Sequence, residues 1–220
     1  MKVSEAMLAR RSVRGFLERE VPAEVLSGIF AAAQHAPSWC NIQPWRVWVT
    51  RGEATKRVAA ALLAAAQASM PEPDVPFPGE YPAPYDQHRK ECGRALYEAM
   101  GVARDDKAAR WDAWLRNFSG FGAPHLAFVA MDRRFGTYGA LDVGCWLESV
   151  LLLATEAGVG TCAQAALATY PAVLRRELGI ADELAVLCGI ALGYEDGAVP
   201  ANACRTTRAP AAANVTVVDR

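Results

Sequence analysis

Five arginines in two short segments are the residues of this chain best suited to chemistry. Arg10, Arg11 and Arg14 surround Ser12, and Arg205 and Arg208 flank Thr206 and Thr207. A guanidinium presents a planar fork of N–H donors that matches phosphate or carboxylate oxygens two at a time, and hydroxyls can serve the oxygens left over. Arginines and hydroxyls that converge suit a phosphate monoester; the same residues left apart are ordinary solvated charges. A third segment, Ala36-Pro37-Ser38-Trp39-Cys40-Asn41-Ile42-Gln43-Pro44-Trp45, joins small hydrogen-bonding side chains to two indoles and two prolines. Aromatic faces and amide edges together suit a planar, partly polar ring carrying a polyol chain. Read as structure alone, it connects a helix to a strand.

Other chemistries lack their residues. There is no G-x-S-x-G, no Walker A sequence and no H-E-x-x-H, so neither a serine elbow, a P-loop nor a zincin helix is encoded. The six cysteines, at 40, 92, 145, 162, 188 and 204, form no C-x-x-C pair; structural zinc needs such close ligand pairs, so no metal is expected. Gly158-Val159-Gly160-Thr161-Cys162-Ala163 matches G-x-G-x-x-A, but a dinucleotide fold needs a strand before it and a helix after it. Here a long helical pattern precedes and a strand-like run follows, so Gly158 reads as a helix C-cap.

The elements that must position these residues follow from periodicity. Residues 3–10 read as a short helix, which sets Arg10 and Arg14 one helical turn apart on a shared face. Pro22 opens a helix to about His35, and Trp45–Thr50 reads as a strand. An Ala-rich helix runs from about Glu53 to Ser69. Six prolines between residues 70 and 84 break any regular element, so this stretch is expected as a surface excursion or lid. Helices follow at about 85–101 and 105–117, and a strand over His125–Met131. Residues 138–157 are apolar nearly all round, which predicts a helix buried on every side, central either to the domain or to a dimer. Thr161–Ala165 is a short strand, 171–178 a helix begun by Pro171, Leu184–Leu192 a strong strand and Val215–Val218 a last one. Few strands, long helices and no βαβ rhythm give an α+β class, one domain over 1–220 with helices packed on a mixed, mainly antiparallel sheet.

Composition sets limits on partners. Hydrophobic residues are 52% of the chain and charged residues 21%, which supplies ample core and some apolar surplus, as an oligomer would need. Twenty-three Lys and Arg against 24 Asp and Glu leave a net charge of −1, so neither nucleic acid nor an anionic membrane is an expected partner. The first residues contain Glu5 and no apolar run, so a cytoplasmic location is expected.

In order along the chain, these pieces resemble the FMN-dependent nitroreductase family. The matching residues are Arg10-Arg11-Ser12-Val13-Arg14-Gly15-Phe16, Ala36-Pro37-Ser38 with Asn41-Ile42-Gln43-Pro44-Trp45, Ala154 to Gly160 with Gln164, Val186 to Tyr194, and Arg205 with Arg208. Residues 66–120 match weakly. The resemblance implies a nitroreductase-like fold in an intertwined homodimer, with two FMN sites at the subunit interface. Arg10, Arg11, Ser12 and Arg14 would serve the phosphate, ribityl chain and pyrimidine edge, and Arg205 and Arg208 the phosphate. Pro37, Ser38, Trp39, Asn41 and Gln43 would reach the flavin from the partner subunit, while Gln164, Ala165 and Ala166 lie against its ring. It also implies ping-pong hydride transfer from NADH or NADPH to an electron-poor acceptor such as a nitroaromatic or quinone, on the cofactor and with no catalytic side chain. Trp39, Cys40, Phe77, Tyr81 and Tyr85 would line the acceptor's side. A same-fold dehalogenase or enone reductase, and a flavin-binding protein with little turnover, are the rival readings.

Overall fold

Every side chain of strand β2 (His125–Asp132) but the last is buried, because helices cover both faces of the sheet it centres. In the computed structural model, which describes residues 1–219, β2 lies between β1 (Arg46–Thr50) and β4 (Leu184–Gly193), and β3 (Gly160–Gln164) completes the order β1-β2-β4-β3. All three pairings are antiparallel. Alternation along β2 divides the core in two. Leu126, Phe128 and Ala130 join Val58, Leu62 and Ala66 of α3 (Glu53–Ala68) and Val173 and Leu174 of α7 (Pro171–Leu178). Ala127, Val129 and Met131 join Leu26 and Ile29 of α2 (Ala23–Ala33) and Val143, Trp146 and Val150 of α6 (Gly136–Glu156). Trp146 is fully buried and stacks between Phe30 and Trp45, each ring 6.2 Å away. The remaining helices are α1 (Val3–Ala9), α4 (Tyr85–Ala99) and α5 (Lys107–Leu115).

Most sequence-derived elements recur within one or two residues, and three expectations need correction. The sheet is antiparallel throughout its named strands; its one parallel contact is an isolated bridge from Ser12 to Thr161. The first helix stops at Ala9, and Arg10 is already extended, with φ −56° and ψ 129°. The cause is tertiary: the Val13 N–H donates to the Thr161 carbonyl at 2.9 Å, drawing the chain onto the free edge of β3. Along helix α6, Tyr138, Leu141 and Cys145 lie exposed on one stripe in the single chain. Val215–Val218 forms no strand, and its valines are exposed.

The proline-rich stretch, expected as a surface excursion or lid, is anchored near its start. The carboxylate of Asp74 accepts hydrogen bonds from Arg133 at 2.6 Å, Arg175 at 2.9 Å and the Val186 backbone N–H at 2.9 Å. Burial would raise this carboxyl, but Val186, Arg175 and Arg133 together hold it below its usual value. The Tyr170 hydroxyl donates to the Ser69 carbonyl at 3.0 Å, fixing the excursion's start.

His125 opens β2 fully buried, and its Nε2 accepts the Val21 N–H at 3.0 Å, so the ring proton sits on Nδ1. Burial lowers its pKa, outweighing the neighbours that raise it. A histidine kept neutral stabilises the fold fully above its unfolded pKa of about 6.5, and that contribution is lost as pH falls through and below this value. Urea unfolding is therefore expected to show stability falling from pH 7 to pH 5. His125→Leu loses this dependence and, by stranding the Val21 N–H, costs about 1–3 kcal/mol at pH 7.

Candidate active site

The first arginine segment is placed by its pairing with β3. Gly160 permits the approach: a Cβ there would stand 2.9 Å from Val13 Cγ2. In an extended chain alternate side chains face opposite ways, and Val13 enters the core. Arg10, Ser12 and Arg14 therefore share a side through two-residue alternation, not through the helical face expected from sequence. Arg11, on Val13's side, is held by the carboxylate of Glu195. Arg10 stands 3.8 Å from Glu148 of α6, a loose pair.

Asn202 joins this segment to the C-terminal one. Its Oδ1 accepts the Arg14 N–H at 2.6 Å, and its Nδ2 donates to the carbonyls of Gly15 at 2.9 Å and Asp196 at 2.8 Å. Its own carbonyl receives Arg205 Nη1 at 2.8 Å. Arg208 turns to Thr206 Oγ1 and the Thr207 carbonyl, both at 2.9 Å. Among the described residues no carboxylate pairs with Arg14, Arg205 or Arg208. No sequence signal marked Asn202.

The end of β3 forms a platform beside Arg14. Gln164 pairs with Gly189 across the sheet, and a Cβ on Gly189 would stand 2.6 Å from Leu167, so the turn carrying Ala165 and Ala166 lies flat only over a glycine. The Gln164 amide Nε2 donates to the Asn117 carbonyl at 3.1 Å and to Asn117 Oδ1 at 3.3 Å. Its Oε1 is buried without a partner. Arg116 Nη2 donates to the Arg14 carbonyl at 3.1 Å. Arg14, Arg116, Asn117, Tyr97 and Trp114 border a cavity of about 160 Å³. Arg116 and Asn117 were missed because they lie where the resemblance is weak; a polar pair closing an aromatic-rich amphipathic helix is the only trace they leave in sequence.

Residues 37–43 form a tight turn between α2 and β1. Cys40, Asn41 and Gln43 have φ of 45°, 59° and 46°, and a non-glycine residue held this way costs on the order of 1–3 kcal/mol. Ser38 Oγ accepts the Gln43 N–H at 3.0 Å, and Gln43 Nε2 donates to the Asn41 carbonyl at 3.0 Å. Trp39 is exposed, its ring 6.0 Å from that of Tyr138. Phe77, Tyr81 and Tyr85 are exposed as well. They are not brought to the cavity beside Arg14, which α4 lines from its other end with Leu96, Tyr97 and Met100. Burial raises the Cys162 thiol and pushes Cys188 up to about 12, so neither ionises near neutrality.

The model of the "Nitroreductase family" matches residues 7–194, which takes in the first arginine segment, the 37–43 turn and the Gln164 platform. The chain belongs to the nitroreductase family. It is 35% identical over 204 residues to the nitrobenzene nitroreductase of Ectopseudomonas oleovorans, covering 91% of this chain and 89% of that one. The crystal structure of the FMN and NADPH-dependent nitroreductase NfnB from a Sphigopyxis strain superposes with a TM-score of 0.96 at 37% identity over the whole of both chains. That of the FMN-dependent nitroreductase NfnB from Mycobacterium smegmatis, in complex with NADPH, gives 0.94 at 32% identity and covers 98% of each chain. In this chain, Asn202→Ala is expected to lower unfolding free energy by about 1–3 kcal/mol, because it strands the part-buried Arg14 N–H and frees the tail. Thr206→Ala, a change in the exposed tail, should stay within about 0.5 kcal/mol in the same urea titration.

Proposed function

We propose that this chain is an FMN-dependent oxidoreductase that reduces nitroaromatic compounds with NAD(P)H. The observation that carries the reading is the meeting of Arg14 and Arg205 on Asn202, with no carboxylate paired to either or to Arg208 among the described residues, beside the platform at Gln164. A phosphate monoester bearing close to two negative charges needs such uncommitted guanidiniums. The buried, unpartnered Oε1 of Gln164 offers an acceptor to a donor edge of a ring lying on Ala165 and Ala166. The residues present therefore fit FMN. The relatives agree: the nitrobenzene nitroreductase is 35% identical, and the FMN and NADPH-dependent enzyme shares the fold at a TM-score of 0.96.

In this reading Arg205 and Arg208 hold the phosphate, and Arg10, Ser12 and Arg14 serve the ribityl chain and pyrimidine edge. Arg11 contributes through its backbone, since Glu195 occupies its guanidinium. Asn117 and Arg116, absent from the sequence-derived set, brace Gln164 and Arg14. The chemistry that FMN supplies when bound is hydride transfer from NADPH or NADH to an electron-poor acceptor, in two half-reactions over one ring face. The protein's part is to bind, orient and shelter; no side chain acts as a nucleophile.

The assembly belongs to the same proposal. Tyr138, Leu141, Cys145 and the half-buried Leu152 recur on α6 at spacings of three, four and seven residues, on the side the chain leaves uncovered. Such a stripe is the seam of a helix pair. A homodimer closed there brings Pro37, Ser38, Trp39, Asn41 and Gln43 toward the partner's flavin, with Trp39 and Cys40 on the acceptor side. Phe77, Tyr81 and Tyr85 would join them from the partner's excursion. The exposed valines at 215, 217 and 218 and the open edge of β1 suit an exchange of tails, the intertwined arrangement.

Purified protein is expected to be yellow, to bleach when NADPH is added without oxygen, and to recolour with nitrobenzene. Colourless protein that takes up no FMN would overturn the reading, and a flavin that NADPH leaves oxidised would mark a binding protein. Arg208→Ala should weaken FMN binding about tenfold to a hundredfold, the loss of one charge-assisted contact, measured by flavin fluorescence titration. Sedimentation should find the wild type dimeric at low micromolar concentration and Leu141→Asp monomeric.

A further inference from the structure

One buried charge has no part in the scheme above. Asp142 is 8% exposed on the flank of α6, between the exposed Leu141 and the buried Val143. Among the described residues it has no cationic partner. Both of its oxygens accept the backbone N–H of Trp39, at 3.1 Å each. A carboxylate buried without a cation is costly, and a helix meant only to pack would carry an apolar residue here.

What it grips is the strained turn. Trp39 immediately precedes Cys40 and Asn41, and Gln43 follows, all three in the left-handed region. Their conformations persist only if the ends of the turn are held. Ser38 Oγ holds the far end through Gln43, and Asp142 holds the near end through Trp39. One helical turn before Asp142, Tyr138 meets the Trp39 ring at 6.0 Å and 57°. Helix α6 thus fixes residue 39 twice, by its backbone and by its indole. A charged acceptor suits this task because its hydrogen bond is roughly twice as strong as a neutral one.

We propose that Asp142 is a positioning residue: it clamps the 38–43 turn in its strained form and so sets the Trp39 ring that borders the acceptor. The placement at the acceptor rests on the function proposed above; the clamp itself does not. The test is hydrogen exchange of the peptide spanning residues 38–43, together with half-reaction kinetics, on wild type, Asp142→Ala and Asp142→Asn. Asp142→Ala is expected to speed exchange there about tenfold to a hundredfold, the loss of one hydrogen bond to a charged group. It should also raise KM for nitrobenzene about tenfold, and the half-reaction with NADPH, which meets the same ring face, should weaken with it. Asp142→Asn keeps an acceptor oxygen for the Trp39 N–H and should fall between, which separates the role from a mere loss of packing. Exchange unchanged in Asp142→Ala would overturn the clamp. Faster exchange with nitrobenzene KM unchanged would overturn the link from turn to acceptor, and wild type that binds no FMN would instead sink the functional reading while the exchange contrast still judges the clamp.

Discussion

The pairing of residues 12 and 13 with the free edge of β3 is the constraint on which the site depends. It turns a segment with helical character into extended chain, and with that change the arginines sort by alternation. Val13 goes to the core and Arg11 to Glu195, while Arg10, Ser12 and Arg14 take the other side. Gly160 makes the approach possible and Gly193 lets Phe16 and Pro124 close over the next position, where a Cβ would stand 2.6 Å from Pro124. Asn202 then extends the arrangement, its side chain bonding to the backbone of Arg14 and Gly15 much as a neighbouring strand would. Through Asn202, whose carbonyl receives Arg205, the tail is joined to the first segment.

Helix α6 serves three neighbours at once. Its inner side buries Trp146 between two aromatic rings and supports the sheet, its carboxylate Asp142 bonds the turn at Trp39, and its outer stripe is the side on which the proposed partner would pack. A helix with such demands on all sides has little room for polar residues, which explains an apolar composition that would otherwise suggest complete burial. The apolar surplus of the chain is concentrated here and in the valines of the tail.

The excursion between α3 and α4 shows how a long loop is made compatible with a compact body. Asp74 collects two arginines and a backbone N–H from three separate elements, so the chain is fastened before its most proline-rich part begins. Beyond it, exposed aromatics lead into α4, whose far end meets Arg14 and Asn117 around the cavity. The excursion and the platform are thus connected through α4 and α5, with Gln164 and Asn117 as the polar contact between them.

Local rules made much of this legible. Hydrophobic period marked β2, β4 and α6, Pro171 marked the start of α7, and Gly158, with φ of 71°, ended α6 as a cap does. The residues of the family motifs were named from the chain alone, because ligand chemistry demands particular side chains. What sequence could not decide were matters of pairing between distant segments. Arg10 and Arg14 were assigned to one helical face, yet a hydrogen bond to Thr161 decides their conformation. Which arginines stay uncommitted depends on where Glu195 and Glu148 fall. Asn117, Asn202 and Asp142 carry no motif, and each meets a group at least 47 residues away along the chain. Composition and period determine elements because they act within a few residues. The choice of partner for each polar group belongs to the tertiary structure, since only there do its competing donors and acceptors come within reach.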